Sequence, residues 1–120
     1  MPVSISHIAW IVSHPGRTAD LLAGVFENVR IVREAPDAEG HVETRVRIGN
    51  TWLVLVEGQG PASRNGDHVA FAVSKEEQLA CARRLDELAV DYMMSREDSA
   101  LYFSDYDNHV IELDTLPPVD

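Results

Sequence analysis

The sequence contains one cysteine, Cys81, so no disulfide can form within the chain. Basic residues are also scarce: ten Lys and Arg stand against twenty Asp and Glu, a formal net charge of −10. This charge argues against nucleic-acid backbones and anionic membrane surfaces as partners. No apolar run approaches the roughly 18 residues that span a bilayer, and the first residues do not resemble a secretory signal. We therefore expect a cytoplasmic protein that binds neither nucleic acid nor membrane.

Two segments of the chain repeat with a shift of 61 residues. Residues 7–13 read HIAWIVS and residues 68–74 read HVAFAVS. Both are rich in β-branched and aromatic residues, which is typical of buried strands. A helical pattern follows each of them. The first covers residues 19–27, with Leu21, Leu22, Val25 and Phe26 inward; the second is opened by a Ser74 and Glu77 capping box, runs to about Leu88 and has Leu79, Ala82, Leu85 and Leu88 inward.

Three short strand patterns follow each helix. The first half has them at residues 29–33, 41–48 and 51–56, and the second at 90–94, 100–104 and 109–114; Gly49-Asn50 and Asp107-Asn108 are the turns of the last hairpins. We predict an α+β fold of two tandem βαβββ modules that form a paired, partly open barrel-like sheet. The predicted single domain is 1–120, with module 1 at about 3–58, a linker at 59–66 and module 2 at about 67–114.

Three residues are candidates for metal binding. The duplication places His7 and His68 at equivalent points of two related strands. Glu112 is the one acidic residue in the apolar run Val110–Leu113, where a buried carboxylate would need a partner such as a metal ion. The residues alone also permit another interpretation, in which the histidines form ordinary hydrogen bonds and Glu112 faces solvent.

Several of these segments resemble a known superfamily. Residues 7–8, 52–58, 68–71 and 101–113 are similar to the vicinal oxygen chelate superfamily of glyoxalase, bleomycin-resistance and dioxygenase proteins, and most of all to its fosfomycin-resistance proteins. The resemblance implies that His7, His68 and Glu112 hold a metal ion. Two imidazoles and one carboxylate suit Mn, Fe, Co, Ni or Zn. Three protein ligands would leave coordination positions for a substrate oxygen and water.

The same resemblance implies two catalytic residues. Glu43 lies where the epoxide-hydrolysing resistance proteins carry a glutamate that activates water, and a carboxylate can serve there as general base. Tyr102 matches the tyrosine that donates a hydrogen bond to substrate. Glu43 could instead be a solvated charge on an alternating strand, because it shares a predicted face with His41, Arg45 and Arg47. Tyr102 could simply be a half-buried packing residue.

The sequence departs from the fosfomycin-resistance pattern at three places. Ala9 replaces a threonine, the segment 93–99 is shorter than the family's cation-binding loop and offers only Arg96, and residues 115–120 contain no arginine to hold a phosphonate. We therefore expect fosfomycin to be a poor substrate.

The resemblance leaves alternatives for function and assembly. The main hypothesis is a metal-dependent enzyme, associated with antibiotic resistance, that opens epoxides, isomerises or acts as a lyase on a small molecule. The alternative is a non-catalytic dimer that binds a small molecule, as bleomycin-resistance proteins do; an iron dioxygenase is less favoured, because those enzymes usually have about twice this length. The resemblance also implies a homodimer in which His7 of one chain meets His68 and Glu112 of the other, although the duplication permits sites within one chain.

Overall fold

The computed structural model describes residues 2–40 and 42–120, which divide into two compact units after Pro61. Each unit has one strand, one helix and three further strands. The first contains β1 (Ile8–Val12), α1 (Pro15–Val25), β2 (Arg30–Arg33), β3 (Glu43–Ile48) and β4 (Thr51–Glu57). The second contains β5 (His68–Ala72), α2 (Lys75–Glu87), β6 (Tyr92–Ser95), β7 (Ala100–Ser104) and β8 (Val110–Asp114). The predicted α+β fold of two tandem βαβββ modules is confirmed. His41, the predicted start of the third strand, lies outside the described residues.

The two sheets have the same topology and neither is a closed barrel. Their strand orders are β1-β4-β3-β2 and β5-β8-β7-β6. The first strand of each unit pairs in parallel with the last, and the other pairs are antiparallel. Val54 aligns with Ala9 and Arg45, as Glu112 aligns with Ala70 and Tyr102. Val54 is therefore the positional counterpart of Glu112.

The core of the first unit lies between α1 and one face of its sheet. The helix begins at Pro15, earlier than the predicted residue 19, because the fixed φ of proline suits the first turn. All four side chains that the pattern predicted to point inward are buried. On the sheet, Val46, Leu53 and Leu55 are fully buried. Alternation along the strands therefore leaves Ala9, Arg45 and Val54 on the open face, away from the helix.

The second helix buries a different stripe from the predicted one. The prediction was correct for Ala82 and Leu85 but wrong for Leu79 and Leu88, which are each 45% exposed. The buried stripe is Gln78, Cys81, Ala82 and Leu85, a spacing of 3, 4 and 7 residues from Gln78. Gln78 was missed because its side chain is polar, yet it is fully buried with hydrogen-bond partners.

None of the described helices is long and apolar enough to cross a membrane.

Candidate metal centre

Three of the predicted site residues meet on the open face of the second sheet. Glu112 pairs with Ala70 on one side and Tyr102 on the other, and His68 lies two residues before Ala70 on the same face. His68 Nε2 is 3.0 Å from Glu112 Oε1. The His68 and Tyr102 rings meet edge to face, with centroids 5.7 Å apart. The parallel pairing of β5 with β8 thus brings together residues that are 44 positions apart in the sequence.

The orientation of His68 restricts which atoms can lie between it and Glu112. His68 Nδ1 is 3.0 Å from the carbonyl oxygen of Gly66. Because a carbonyl oxygen only accepts hydrogen bonds, Nδ1 carries a proton and donates it. Nε2 then faces a carboxylate oxygen, which also only accepts. A positive charge is needed between these two acceptors, and a shared proton or a metal ion can supply it.

The environment of His68 fits the metal alternative. A metal-binding histidine almost always donates its second ring N–H to a carbonyl, a carboxylate or water. The bond from Nδ1 to Gly66 has this form, and it points Nε2 toward the carboxylate. The imidazole nitrogen of His68 and the carboxylate oxygen of Glu112 are also ligands of the types that divalent transition metals prefer. The residues present therefore fit a metal ion.

Glu112 is held by a second partner, Arg96. The Glu112 side chain is only 2% exposed, so its charge requires compensation. Arg96 Nη2 donates to Glu112 Oε2 at 2.8 Å and to Tyr102 Oη at 3.0 Å. The hydrogen bond with Tyr102, followed by the charge of Glu112, raises the pKa of the Arg96 guanidinium above its ordinary value. One carboxylate oxygen is thus directed to Arg96 and the other to His68.

Arg96 owes its position to an unusual turn between β6 and β7. Arg96, Glu97 and Asp98 have φ values of 52°, 57° and 66°, the left-handed region that residues with a side chain rarely adopt. The turn is closed by a bond from Ser99 N to the carbonyl of Arg96, at 3.1 Å. The sequence pointed to Arg96 because it is the one basic residue in the segment 93–99. No sequence signal indicated three successive left-handed residues, because none of them is glycine or asparagine.

His7 and Glu43 lie in the first unit and are not brought together there. His7 is exposed, immediately precedes β1 and has Nδ1 2.9 Å from Ser6 Oγ. Glu43, also exposed, is the first residue of β3 and pairs with Val56. Alternation places both side chains on the open face, but His7 is level with Trp52, four residues from Val56 along β4. Four strand residues span about 13 Å. Across residues 2–40 and 42–120, no three His, Cys, Asp or Glu side chains form a metal-binding group.

Comparison with known proteins identifies the family. No family model matches the chain. The fosfomycin resistance protein FosX of Mesorhizobium japonicum is 31% identical over 119 residues, which cover 92% of this chain and 84% of that protein. The chain belongs to the fosfomycin-resistance family of the vicinal oxygen chelate superfamily. The resemblance carried by residues 7–8, 52–58, 68–71 and 101–113 is therefore confirmed at the level of family.

Solved structures agree with this family and its fold. A variant of FosX from Listeria monocytogenes, complexed with Mn(II) and 1S,2S-dihydroxypropylphosphonic acid, superimposes with a TM-score of 0.84 at 26% identity, over 98% of this chain and 95% of that one. A glyoxylase/bleomycin resistance/dioxygenase domain from Frankia sp. EAN1pec has a TM-score of 0.74 at 19% identity, over 95% and 98% of the two chains. The second likeness shows the shared fold. In this fosfomycin-resistance family member, the ligand and catalytic roles of individual residues remain predictions.

Proposed function

We propose that this protein is an enzyme that uses one divalent transition metal as a Lewis acid on a small oxygen-bearing substrate. The observation that carries the proposal is the pair formed by His68 and Glu112. Their facing acceptor atoms are 3.0 Å apart on a half-open sheet face, and the histidine already donates its other N–H to a carbonyl. A FosX structure with 26% identity contains Mn(II), which supports manganese as the first metal to test.

The proposed ligands are His7, His68 and Glu112. Nitrogen ligands from two imidazoles and one carboxylate oxygen suit Mn, Fe, Co, Ni or Zn. When bound, such an ion would polarise a substrate oxygen and stabilise negative charge that develops on it. With three protein ligands, the ion would keep positions for that oxygen and for water.

The chain's own polar groups supply the remaining chemistry of the proposal. Tyr102 Oη accepts a hydrogen bond from Arg96, so its own O–H can donate to a substrate oxygen. Glu43 is proposed as the general base, whose carboxylate takes the proton of an attacking water. The ligand in the FosX complex is a diol, which is the product when water opens an epoxide. Epoxide opening is therefore the first reaction to test, before isomerisation or lyase chemistry.

We also propose a homodimer in which His7 of one chain completes the site of the other. The open face of the second unit supports this proposal, because His68, Ala70 and Ala72 are exposed in the single chain. An open sheet with exposed edges is commonly covered by a second copy of the same protein. His7 is likewise exposed, on the open face of the first unit.

The substrate is expected to differ from fosfomycin in detail. Ala9, exposed on the open face, offers no hydroxyl, and Arg96 is already shared between Glu112 and Tyr102. With a net charge of −10, phosphonate binding would depend on few cations. Incubation with fosfomycin and Mn(II), followed by phosphorus NMR, should show turnover at least about a hundredfold slower than FosX, or about 3 kcal/mol in the barrier. Turnover equal to that of FosX would contradict this expectation.

Metal analysis tests the proposed function directly. The purified full-length protein is stripped with chelator, reconstituted with Mn(II), freed of excess metal and measured by elemental analysis. One Mn(II) per chain is expected for the wild type and for His14→Ala, a control at an exposed histidine, but far less for His68→Ala. Absence of metal from the reconstituted wild type would refute the enzyme proposal and favour a metal-free binding protein. Equal metal content in His68→Ala would refute the ligand assignment.

A further inference from the structure

The left-handed turn at residues 96–98 is held by side chains from outside it. Three successive non-glycine residues with positive φ are unfavourable and persist only where neighbouring groups fix them. Lys75 Nζ donates to the carbonyl oxygen of Asp98 at 2.6 Å. Gln78 Nε2 donates to the carbonyl oxygen of Ser99 at 3.1 Å. The first turn of α2 therefore holds the last carbonyl group of this turn and that of Ser99, the residue after it.

Gln78 links that turn to the strand that carries Glu112. Its Nε2 also donates to the carbonyl oxygen of Leu113, at 3.2 Å. Its Oε1 accepts from Lys75 Nζ at 2.7 Å. Both N–H groups and the carbonyl oxygen of this fully buried side chain are thus used. A buried amide with all its partners defines one geometry, because any other arrangement would leave polar groups unsatisfied.

Thr115, just after β8, completes this arrangement. Its backbone N–H and its Oγ1 both donate to the carbonyl oxygen of Ser99, at 2.9 and 2.8 Å. Ser99 is therefore held by α2 on one side and by the end of β8 on the other. Because Ser99 N donates to the carbonyl of Arg96, this anchoring extends to the residue whose guanidinium meets Glu112.

We propose that Gln78, assisted by Lys75, is a positioning residue of the metal centre that acts through Arg96. Gln78 fixes the left-handed turn relative to β8, and the turn places Arg96 Nη2 on Glu112 Oε2. Glu112 then presents Oε1 on the side of His68, where it would be the carboxylate ligand of a metal ion. This inference rests on the proposed metal site, and it adds a role for a buried helix residue that contacts neither metal nor substrate.

The expected effect on metal affinity follows from this chain of contacts. Without the bonds from Gln78, the turn can relax from its unfavourable conformation and Arg96 loses its position. Glu112 is then no longer held with one oxygen toward His68. Loss of a hydrogen-bond partner of a metal ligand typically weakens metal binding by about 10–100-fold. Gln78→Leu and Arg96→Ala are each expected to weaken Mn(II) binding about tenfold.

A double-mutant cycle on the full-length protein tests whether Gln78 acts through Arg96. Mn(II) binding is measured by the electron paramagnetic resonance signal of the free ion. Gln78→Leu combined with Arg96→Ala should bind Mn(II) as weakly as Arg96→Ala alone, because the position of Arg96 no longer matters. Lys75→Met, a change at an exposed side chain that leaves the core intact, should give a smaller loss. Cys81→Ala, a buried change in the same helix, is the matched control and should leave the affinity unchanged.

A second measurement does not depend on metal. The Nη2–H NMR resonance of Arg96, the group that donates to Glu112 and Tyr102, should have a distinct shift at low temperature in the metal-free wild type and in Cys81→Ala. In Gln78→Leu and Lys75→Met it should move toward the position of arginines that form no ion pair. If the wild type binds no Mn(II), the proposed function fails, and this resonance alone decides the positioning role. An unchanged Arg96 resonance in Gln78→Leu, an unchanged Mn(II) affinity in that variant, or additive losses in the double variant would each overturn the inference.

Discussion

The two units share one scaffold but carry different chemistry on equivalent positions. Both place a histidine before or at the start of the first strand, and in both an alanine two residues later pairs with the central strand. In the first unit, Ala9 pairs with Val54 of β4. In the second unit, the equivalent Ala70 pairs with Glu112 of β8. Both units therefore carry the imidazole, and the second unit alone carries the carboxylate at this position.

A second difference lies on the neighbouring strand. Tyr102 in the second unit corresponds to Arg45 in the first, because Tyr102 pairs with Glu112 and Arg45 pairs with Val54. Arg45 forms an ion pair with Glu34 at 2.6 Å and lies over the ring of Trp52, with 5.8 Å from its guanidinium carbon to the ring centroid. On the open face of the first unit, Arg45 is thus engaged in contacts within that unit. The comparison teaches that the fold supplies positions, whereas the residues at those positions determine whether a metal could bind.

The largest expected effect concerns the position at which the units differ most. Glu112→Gln keeps the size of the side chain but removes its negative charge, so Mn(II) binding should weaken about a thousandfold, or roughly 4 kcal/mol. Val54→Ala, at the equivalent position of the first unit, should leave the affinity within about twofold of the wild type. Isothermal titration with Mn(II) measures both. A loss smaller than about tenfold in Glu112→Gln would show that this carboxylate is not a ligand.

The next prediction asks whether the two histidines serve one site. His7→Ala and His68→Ala chains should each be inactive alone, because each lacks one proposed ligand. After mixing and subunit exchange, shared sites should restore up to one functional centre in each mixed dimer. Sites that are built within single chains would restore none. Activity and bound Mn(II), measured before and after exchange, distinguish the two arrangements, and mixing wild-type chains with each variant controls for exchange itself.

A smaller effect is expected from the different starts of the two helices. Ser74 Oγ accepts a hydrogen bond from Glu77 N at 3.1 Å at the start of α2, whereas His14 makes no such bond at the start of α1. Ser74→Ala should lower the free energy of unfolding by about 1 kcal/mol. His14→Ala should change it by less than about 0.5 kcal/mol. Urea unfolding of both variants gives the comparison, and equal losses would contradict it.

The smallest expected effect is on the pH dependence of the unfolding free energy, which should differ between the last hairpins of the two units. The second hairpin contains Asp105, and burial raises the pKa of its carboxyl above its ordinary value of 3.8. The folded protein therefore binds this proton more tightly than the unfolded chain does, and stability rises as pH falls through the raised pKa. Asp105→Asn keeps an oxygen that can accept from Asp107 N and His109 N but cannot titrate.

The difference in unfolding free energy between the wild type and Asp105→Asn isolates this effect. It should shift in favour of the wild type as the pH is lowered from 7 toward 3.8. A difference that is constant over this range would contradict the prediction. The hairpin of the first unit turns at Gly49-Asn50 without a carboxyl, and Gly49 has the positive φ of 60° that such a turn requires. Asn50→Ala should therefore show no comparable dependence on pH.

The sequence predicted the strands and their correspondence better than it predicted the polar interior. Alignment of the two last hairpins by their turns, Gly49-Asn50 and Asp107-Asn108, is sufficient to equate Val54 with Glu112, and the strand pairing confirms this correspondence. That His68 and Glu112 lie together was implied by the resemblance to the fosfomycin-resistance proteins, and the parallel pairing of β5 with β8 accounts for their contact. The burial of Gln78 was not predictable, because hydropathy cannot show that a polar side chain will find partners inside the protein. The position of Arg96 depends on a turn conformation that its own residues disfavour.

The parallel pairing of the first strand with the last has a consequence for the order of synthesis. Ile8 pairs with Leu53 and His68 with Val110, so each sheet joins segments that are separated by more than forty residues. Contacts over such distances form slowly, because a long loop must close before they are gained. During translation, β5 has no partner within its unit until β8 has left the ribosome. A chain that is interrupted before residue 110 would therefore expose His68 on an unpaired strand, a species that invites aggregation and recognition by chaperones.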